Sequence, residues 1–358
     1  MVRRLSFGLC LVALTGACTL QRSTPSAPAF ARSSSTPGSL AARGVSSDEH
    51  LAHMNAADQV APAPAAAVGP QDLSLPPSSN GAAERVKNSP RHGEWVKIAY
   101  EAGSTDSLMA WVVYPFSKSA SQKAPVVVVV HEIFGLSTWV RGVADQVAAD
   151  GFIAVAPDFL SRVRGGPSTV ELSSDTARRL IQGVSTTERN TIIKAAANYA
   201  MMLPSAQPRY AVIGYCWGGT TTWAHGVNGG LKGFAGGVAF YGAPYTRGGS
   251  PATATTAAVP ASVDADSLAK LSQPIMLLNG SKDARIAALM PAIDSVMKAQ
   301  KKTYTGVNYE GAVHGFLRAQ NDPRPANRDE TEEAANLAAT RDAWPRTIAF
   351  LRKQLGVK

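Results

Sequence analysis

The sequence predicts one α/β domain, a mostly parallel, doubly wound sheet flanked by helices, behind a long polar leader. Three observations carry this. Val126 to Val130 is an unbroken apolar run, and continuous valine implies a strand buried on both faces at the centre of a helix-covered sheet. Short runs of this kind then alternate with segments of helical period as far as the C-terminus. Residues 19 to 90, by contrast, are rich in Ala, Pro, Ser and Gly, as in "APAPAAAVGP" and "SLPPSSNGAAE". Such a segment buries too little apolar surface to offset its ordering entropy and reads as a disordered tether.

At the N-terminus, Arg3 and Arg4 precede the apolar run Leu5 to Leu14. That run is shorter than the roughly 20 residues a spanning helix needs, so residues 1 to 18 read as an export signal. The stretch Leu14-Thr15-Gly16-Ala17-Cys18 resembles a lipoprotein processing site, with Thr15 where leucine is usual. Soluble export to the periplasm and a lipid anchor on Cys18 are the alternatives, and the anchor would be the chain's membrane attachment.

The domain proper is expected over 91 to 358. Trp95 to Tyr100 and Leu108 to Tyr114 read as an antiparallel start to the sheet, followed by the Val126 strand and a loop from His131 to Leu136. Ser137 can cap a helix in which Val140, Val143, Ala144 and Val147 recur at helical spacing, ending near Asp150-Gly151. Phe152 to Ala156 returns as a buried strand, so a parallel β-α-β unit is expected. The rhythm continues with a helix at Arg189 to Met202, a strand at Tyr210 to Ile213 and a helix after Gly218. Strands follow at Gly237 to Tyr241, Ile275 to Leu278 and Tyr304 to Tyr309, with helices at Ile286 to Lys301 and Ala343 to Leu355. Ser161 to Ser185 and Tyr245 to Ser262 interrupt it and read as surface insertions.

The formal charge is +9, but Lys and Arg are scattered, without a dense cluster or interleaved aromatics, so nucleic acid is not an expected partner. Of three cysteines, Cys10 and Cys18 lie in the leader, leaving Cys216 alone in the domain with no disulfide to form. A lone thiol is commonly a small buried hydrophobe.

Its surroundings suggest chemistry instead. Gly214-Tyr215-Cys216-Trp217-Gly218-Gly219 sits where a strand meets a helix, the context of a nucleophile elbow, with glycine two positions either side to prevent collisions in the sharp turn. There the helix dipole and free N–H groups favour thiolate. In the chain order such folds require, Asp283 of "NGSKD" and His314 of "GAVHGFLR" follow. Each has a plain alternative: Asp283 can cap the helix from Ile286, and His314 can merely pack a loop.

Together "VVVVVHEIFG", "GFIAVAPDFL", "GYCWGG", "NGSKD" and "HGFLR" resemble the dienelactone hydrolase family from about Glu94 onward. The resemblance implies an α/β-hydrolase fold with Cys216 as nucleophile, His314 as acid/base and Asp283 as its orienting partner. It singles out Glu132 as a control on thiolate formation, and Arg318, four residues after His314, as holding a substrate carboxylate. A second anion-binding arginine falls among Ser161 to Ser185, where Arg178 and Arg179 are the candidates. Fold position gives the backbone N–H groups of Ile133 and Trp217 as oxyanion donors. The expected substrate is a small anionic ester or lactone of the carboxymethylenebutenolidase kind, hydrolysed through a thioester without metal or organic cofactor. An amidase or peptidase on the same scaffold, or a catalytically idle envelope-tethered binding protein, are the competing readings.

Overall fold

The computed structural model describes residues 68–116, 122–168, 173–250, 259–323 and 329–357. The expected export signal, and the tether as far as residue 67, lie outside them. The remainder of the expected tether, residues 68–90, is a correction: it lies against the domain, with Leu75, Pro76, Pro77 and Ser78 buried and a short helix α1 (Ala82–Lys87) packed on the next helix. Lacking a core of its own, this strap buries its few apolar side chains on a surface that is already folded.

Strands β1 (Gly93–Ala99) and β2 (Ser107–Val113) form the antiparallel start. The valine run is β3 (Ala124–Val130), buried from Pro125 onward. Helix α2 (Thr138–Ala149) begins at Ser137, whose side chain accepts from Val140 N–H, and leads to β4 (Ile153–Pro157). The first expected insertion instead supplies two helices, α3 (Ser161–Arg164) and α4 (Ser174–Gln182), before α5 (Thr186–Met201). After β5 (Ala206–Tyr215) come α6 (Trp217–Val227) and β6 (Phe234–Phe240). The described part of the second insertion contributes two strands that pair antiparallel, β7 (Thr246–Ser250) and β8 (Val259–Val263).

Helix α7 (Ala265–Leu268) precedes β9 (Ile275–Gly280). The helix expected over 286–301 is two, α8 (Ala284–Ala287) and α9 (Met290–Ala299), followed by β10 (Tyr304–Tyr309). The last helix, α10 (Glu330–Leu355), begins well before the expected Ala343 and carries Pro345 inside it.

The eight-stranded sheet has the order β1-β2-β4-β3-β5-β6-β9-β10. Pairing is antiparallel at β1/β2 and β2/β4 and parallel from β4 to β10. The chain leaves β3 for β4 on one side and later returns to β5 on the other. Ligands bind at such a switch point, beyond the carboxyl ends of the strands.

Candidate active site

Every predicted catalytic side chain follows the carboxyl end of a parallel strand. Cys216 stands between β5 and α6 with φ 54 and ψ −114, and it is 1% exposed. A non-glycine residue in that region stores on the order of 1–3 kcal/mol of strain and is held there only by its surroundings. Its N–H donates to Phe240 O at 3.0 Å, and its own carbonyl accepts from Thr220 N–H at 3.1 Å. The flanking glycines are sterically required. A Cβ on Gly214 would lie 1.9 Å from Gly218 O, and one on Gly218 would lie 2.3 Å from Val130 O.

Asp283 follows β9, and His314 lies in the loop after β10. His314 Nδ1 is 2.6 Å from Asp283 Oδ2, both residues being buried. With a carboxylate as acceptor, Nδ1 carries the proton, which turns Nε2 over to chemistry. Burial pushes the Asp283 carboxyl up, but the hydrogen bond and charge of His314, with Arg285 nearby, outweigh it and hold the group below its usual range. The capping alternative is met by the backbone, since Asp283 O accepts from the N–H groups of Ile286 and Ala287 while its carboxylate goes to His314.

The loop after β3 carries Glu132 and Ile133. Glu132 is 3% exposed and accepts from Arg318 Nη2, and Arg318 lies in the 3-10 turn Phe316–Arg318 just beyond His314. The guanidinium rests 4.5 Å from the Trp139 ring of α2, a cation–π arrangement. His131 anchors this loop. Its Nε2 accepts from Phe159 N–H at 3.1 Å, so Nδ1 must donate to Glu132 O, 2.6 Å away. Full burial pushes its pKa down, keeping it neutral. Asp158 orders the loop after β4 by accepting from Leu160 N–H and from both the N–H and hydroxyl of Ser168. Neither the Ile133 nor the Trp217 N–H donates to a backbone carbonyl among the described residues.

The two candidate arginines of α4 separate. Arg178 lies over the Phe134 ring at 5.0 Å, beside the Glu132 loop. Arg179 is exposed and its guanidinium donates to Thr176 of its own helix. Sequence reasoning missed Tyr241. It caps β6 with φ 39, is fully buried, and packs its ring 4.8 Å from His314. Burial first, then Glu132, raises its phenol well above the usual value; Arg318 opposes this and Cys216 adds to it. A strand-end tyrosine ahead of Gly242-Ala243-Pro244 was the available signal.

A cavity of about 540 Å³ lies elsewhere, between the strap and α2, lined by Leu73, Arg85, Arg91 and Ala149 among others. Among the described residues, no group of three His, Cys, Asp or Glu is arranged to hold a metal ion.

Residues 112–355 match the model of the dienelactone hydrolase family. The chain belongs to that family. It is therefore a member of a hydrolase family acting on small carboxylic esters and lactones. A Synechocystis protein named "Putative carboxymethylenebutenolidase" is 29% identical over 243 residues, 64% of this chain and 87% of that protein. One of the same name from Methylorubrum extorquens is 30% identical over 236 residues, 65% of this chain and 73% of that protein. A crystal structure described as a putative dienelactone hydrolase of Klebsiella pneumoniae superposes with a TM-score of 0.56 at 22% identity, covering 73% of this chain and 99% of that one. That last likeness is one of fold.

Proposed function

We infer that this dienelactone hydrolase family member cleaves small anionic esters or lactones through a thioester on Cys216. The observation that carries the reading is the strained elbow, φ 54 at the head of α6, with the Asp283–His314 pair at 2.6 Å in the required chain order.

Cys216 thiolate attacks the ester carbonyl, and the N–H groups of Ile133 and Trp217 hold the resulting oxyanion. Collapse expels the alcohol, which takes the proton that Glu132 accepted from Cys216, and leaves the acyl group on sulfur with His314 Nε2 still unprotonated. His314 then removes a proton from water, whose hydroxide adds to the thioester and releases the acid and the thiolate. Asp283 keeps the imidazole in the tautomer this needs. Arg318 supports selection of a substrate bearing a carboxylate. That group would compete with Glu132 for the guanidinium, and the Glu132 carboxylate so released is placed in the role the family resemblance implies, accepting the Cys216 proton. Arg178, over Phe134, is the second candidate for the anion.

Hydrolysis of p-nitrophenyl hemisuccinate, whose carboxylate can take the place of Glu132 on Arg318, by the wild type, and its loss in Cys216→Ala, tests the reading. A thioester adduct of Cys216 trapped by rapid acid quench and seen by mass is the expected intermediate; no turnover by the wild type sinks the proposal. The basic pair and apolar run before Cys18 support export, and the mass of the mature N-terminus distinguishes a cleaved soluble form from one lipidated on Cys18.

A further inference from the structure

The strap ahead of the family-matched region makes its contacts at the segment that carries Arg318. Gln320 donates to Pro76 O at 2.7 Å and to Asp72 O at 3.3 Å, while its own carbonyl accepts from Asp72 N–H at 3.1 Å. Asn321 donates to Pro70 O at 3.0 Å, and Gln71 donates to Asp322 Oδ1 at 2.7 Å. Arg318 Nη1 itself donates to Ser79 Oγ at 3.1 Å. The strap also holds the surface beneath that guanidinium, because Trp139 Nε1 donates to Pro77 O at 2.9 Å. Gly142 of α2 admits Pro77: a Cβ there would lie 2.7 Å from the proline ring. Glycine inside a helix is disfavoured relative to alanine, and here it leaves room for the strap.

We propose that residues 70–79, outside the family-matched region 112–355, are this chain's specificity element for acidic substrates, with Ser79 and Pro77 positioning Arg318. The proposal rests on the reading of Arg318 as the carboxylate-binding group. Glu132 takes one terminal nitrogen of the guanidinium and Ser79 the other, while Trp139 fixes its plane. When a substrate carboxylate takes the place of Glu132, the contacts from the strap persist and keep the cation aimed at the site.

The test compares two p-nitrophenyl esters of equal chain length, a hemisuccinate and a neutral butyrate, on full-length wild type, Ser79→Ala, Ser79→Thr, Gly142→Ala and Arg318→Met. Loss of one exposed hydrogen bond that positions the guanidinium predicts that Ser79→Ala raises KM for the hemisuccinate relative to the butyrate by roughly threefold to tenfold, with kcat changed less. Ser79→Thr keeps the hydroxyl and restores the ratio. Gly142→Ala, which touches neither the strap nor the arginine in sequence, displaces Pro77 and shifts the ratio the same way, and thermal unfolding confirms that it folds. If wild type prefers the hemisuccinate and Arg318→Met abolishes that preference, but Ser79→Ala and Gly142→Ala keep the wild-type ratio, the strap proposal is overturned and the role of Arg318 stands. If Arg318→Met leaves the ratio unchanged, both fall.

Discussion

Gly218→Ala puts the geometry of the elbow to a quantitative test. The new Cβ would lie 2.3 Å from Val130 O and 2.6 Å from His131 O, both backbone atoms, where 3.0 Å is the shortest contact a Cβ tolerates. The end of β3 must therefore retreat by about 0.7 Å, and the loop that follows it, with Glu132 and the Ile133 N–H, moves too. Misplacing a catalytic group by about 1 Å costs on the order of 100-fold, and losing one oxyanion donor costs about 100- to 1,000-fold. A partial displacement predicts that kcat on p-nitrophenyl acetate falls roughly 30- to 100-fold. KM changes little, because an acetyl ester makes no use of Arg318. Overpacking costs about 1–3 kcal/mol, partly offset by the helix preference of alanine, so the melting temperature drops by only a few degrees. A folded Gly218→Ala protein with kcat within about twofold of wild type would refute the assignment of the β3 loop to oxyanion binding.

Asp283→Asn keeps the shape of the pair but lets the imidazole adopt the other tautomer, so kcat falls on the order of 1,000-fold with KM nearly unchanged; a loss under about tenfold in steady-state assays speaks against the orienting role. A separate prediction concerns stability. His225 is buried between Tyr210, whose hydroxyl donates to Nε2, and Asn190, which accepts from Nδ1. Burial, with Lys194 adding to it, lowers its pKa to about 3. The unfolded chain takes up that proton near pH 6.5, so the contribution is complete above that value and is lost as pH falls toward 3. Between pH 8 and 5 the wild type should lose about 2 kcal/mol in urea unfolding from this residue. His225→Gln should lack that increment of the pH slope, and equal slopes for the two proteins would contradict the assignment.

The candidate site was legible because its requirements are local or ordinal. A turn as tight as that at Cys216 needs glycine at fixed offsets, and Asp283 and His314 are found at successive strand ends. Positive φ at Tyr241 was not legible, since a tyrosine closing an apolar strand reads as core, and its torsion is imposed by neighbours such as Leu278, whose carbonyl accepts the Tyr241 N–H at 2.7 Å. The first half of α10 was missed for a related reason. Glu330 to Asp342 is rich in Glu and Ala with a weak apolar stripe, and only packing shows that Asn336, Ala339 and Thr340 are buried. Asn336 supports the loop that carries His314 directly, accepting from Val313 N–H at 2.9 Å.

The strap exposes a different limit of composition. The test applied to residues 19–90 asks whether a segment can bury enough of its own apolar surface to fold, and residues 68–90 fail it. Docking on a finished surface asks for less: a few apolar contacts, here Leu75, Pro76 and Pro77, and partners for the backbone carbonyls. Those partners are on the domain, with Gln320 reaching Asp72 and Pro76, Asn321 reaching Pro70, and Trp139 reaching Pro77. Proline lowers the ordering cost further, because its φ is already fixed in the unfolded chain. The same Pro-rich composition that argues against an independent fold therefore favours an extended segment laid along another one. What identifies such a segment is on its host: a glycine inside α2 at Gly142, and two consecutive carboxamides, Gln320 and Asn321, just after the arginine that they help to place.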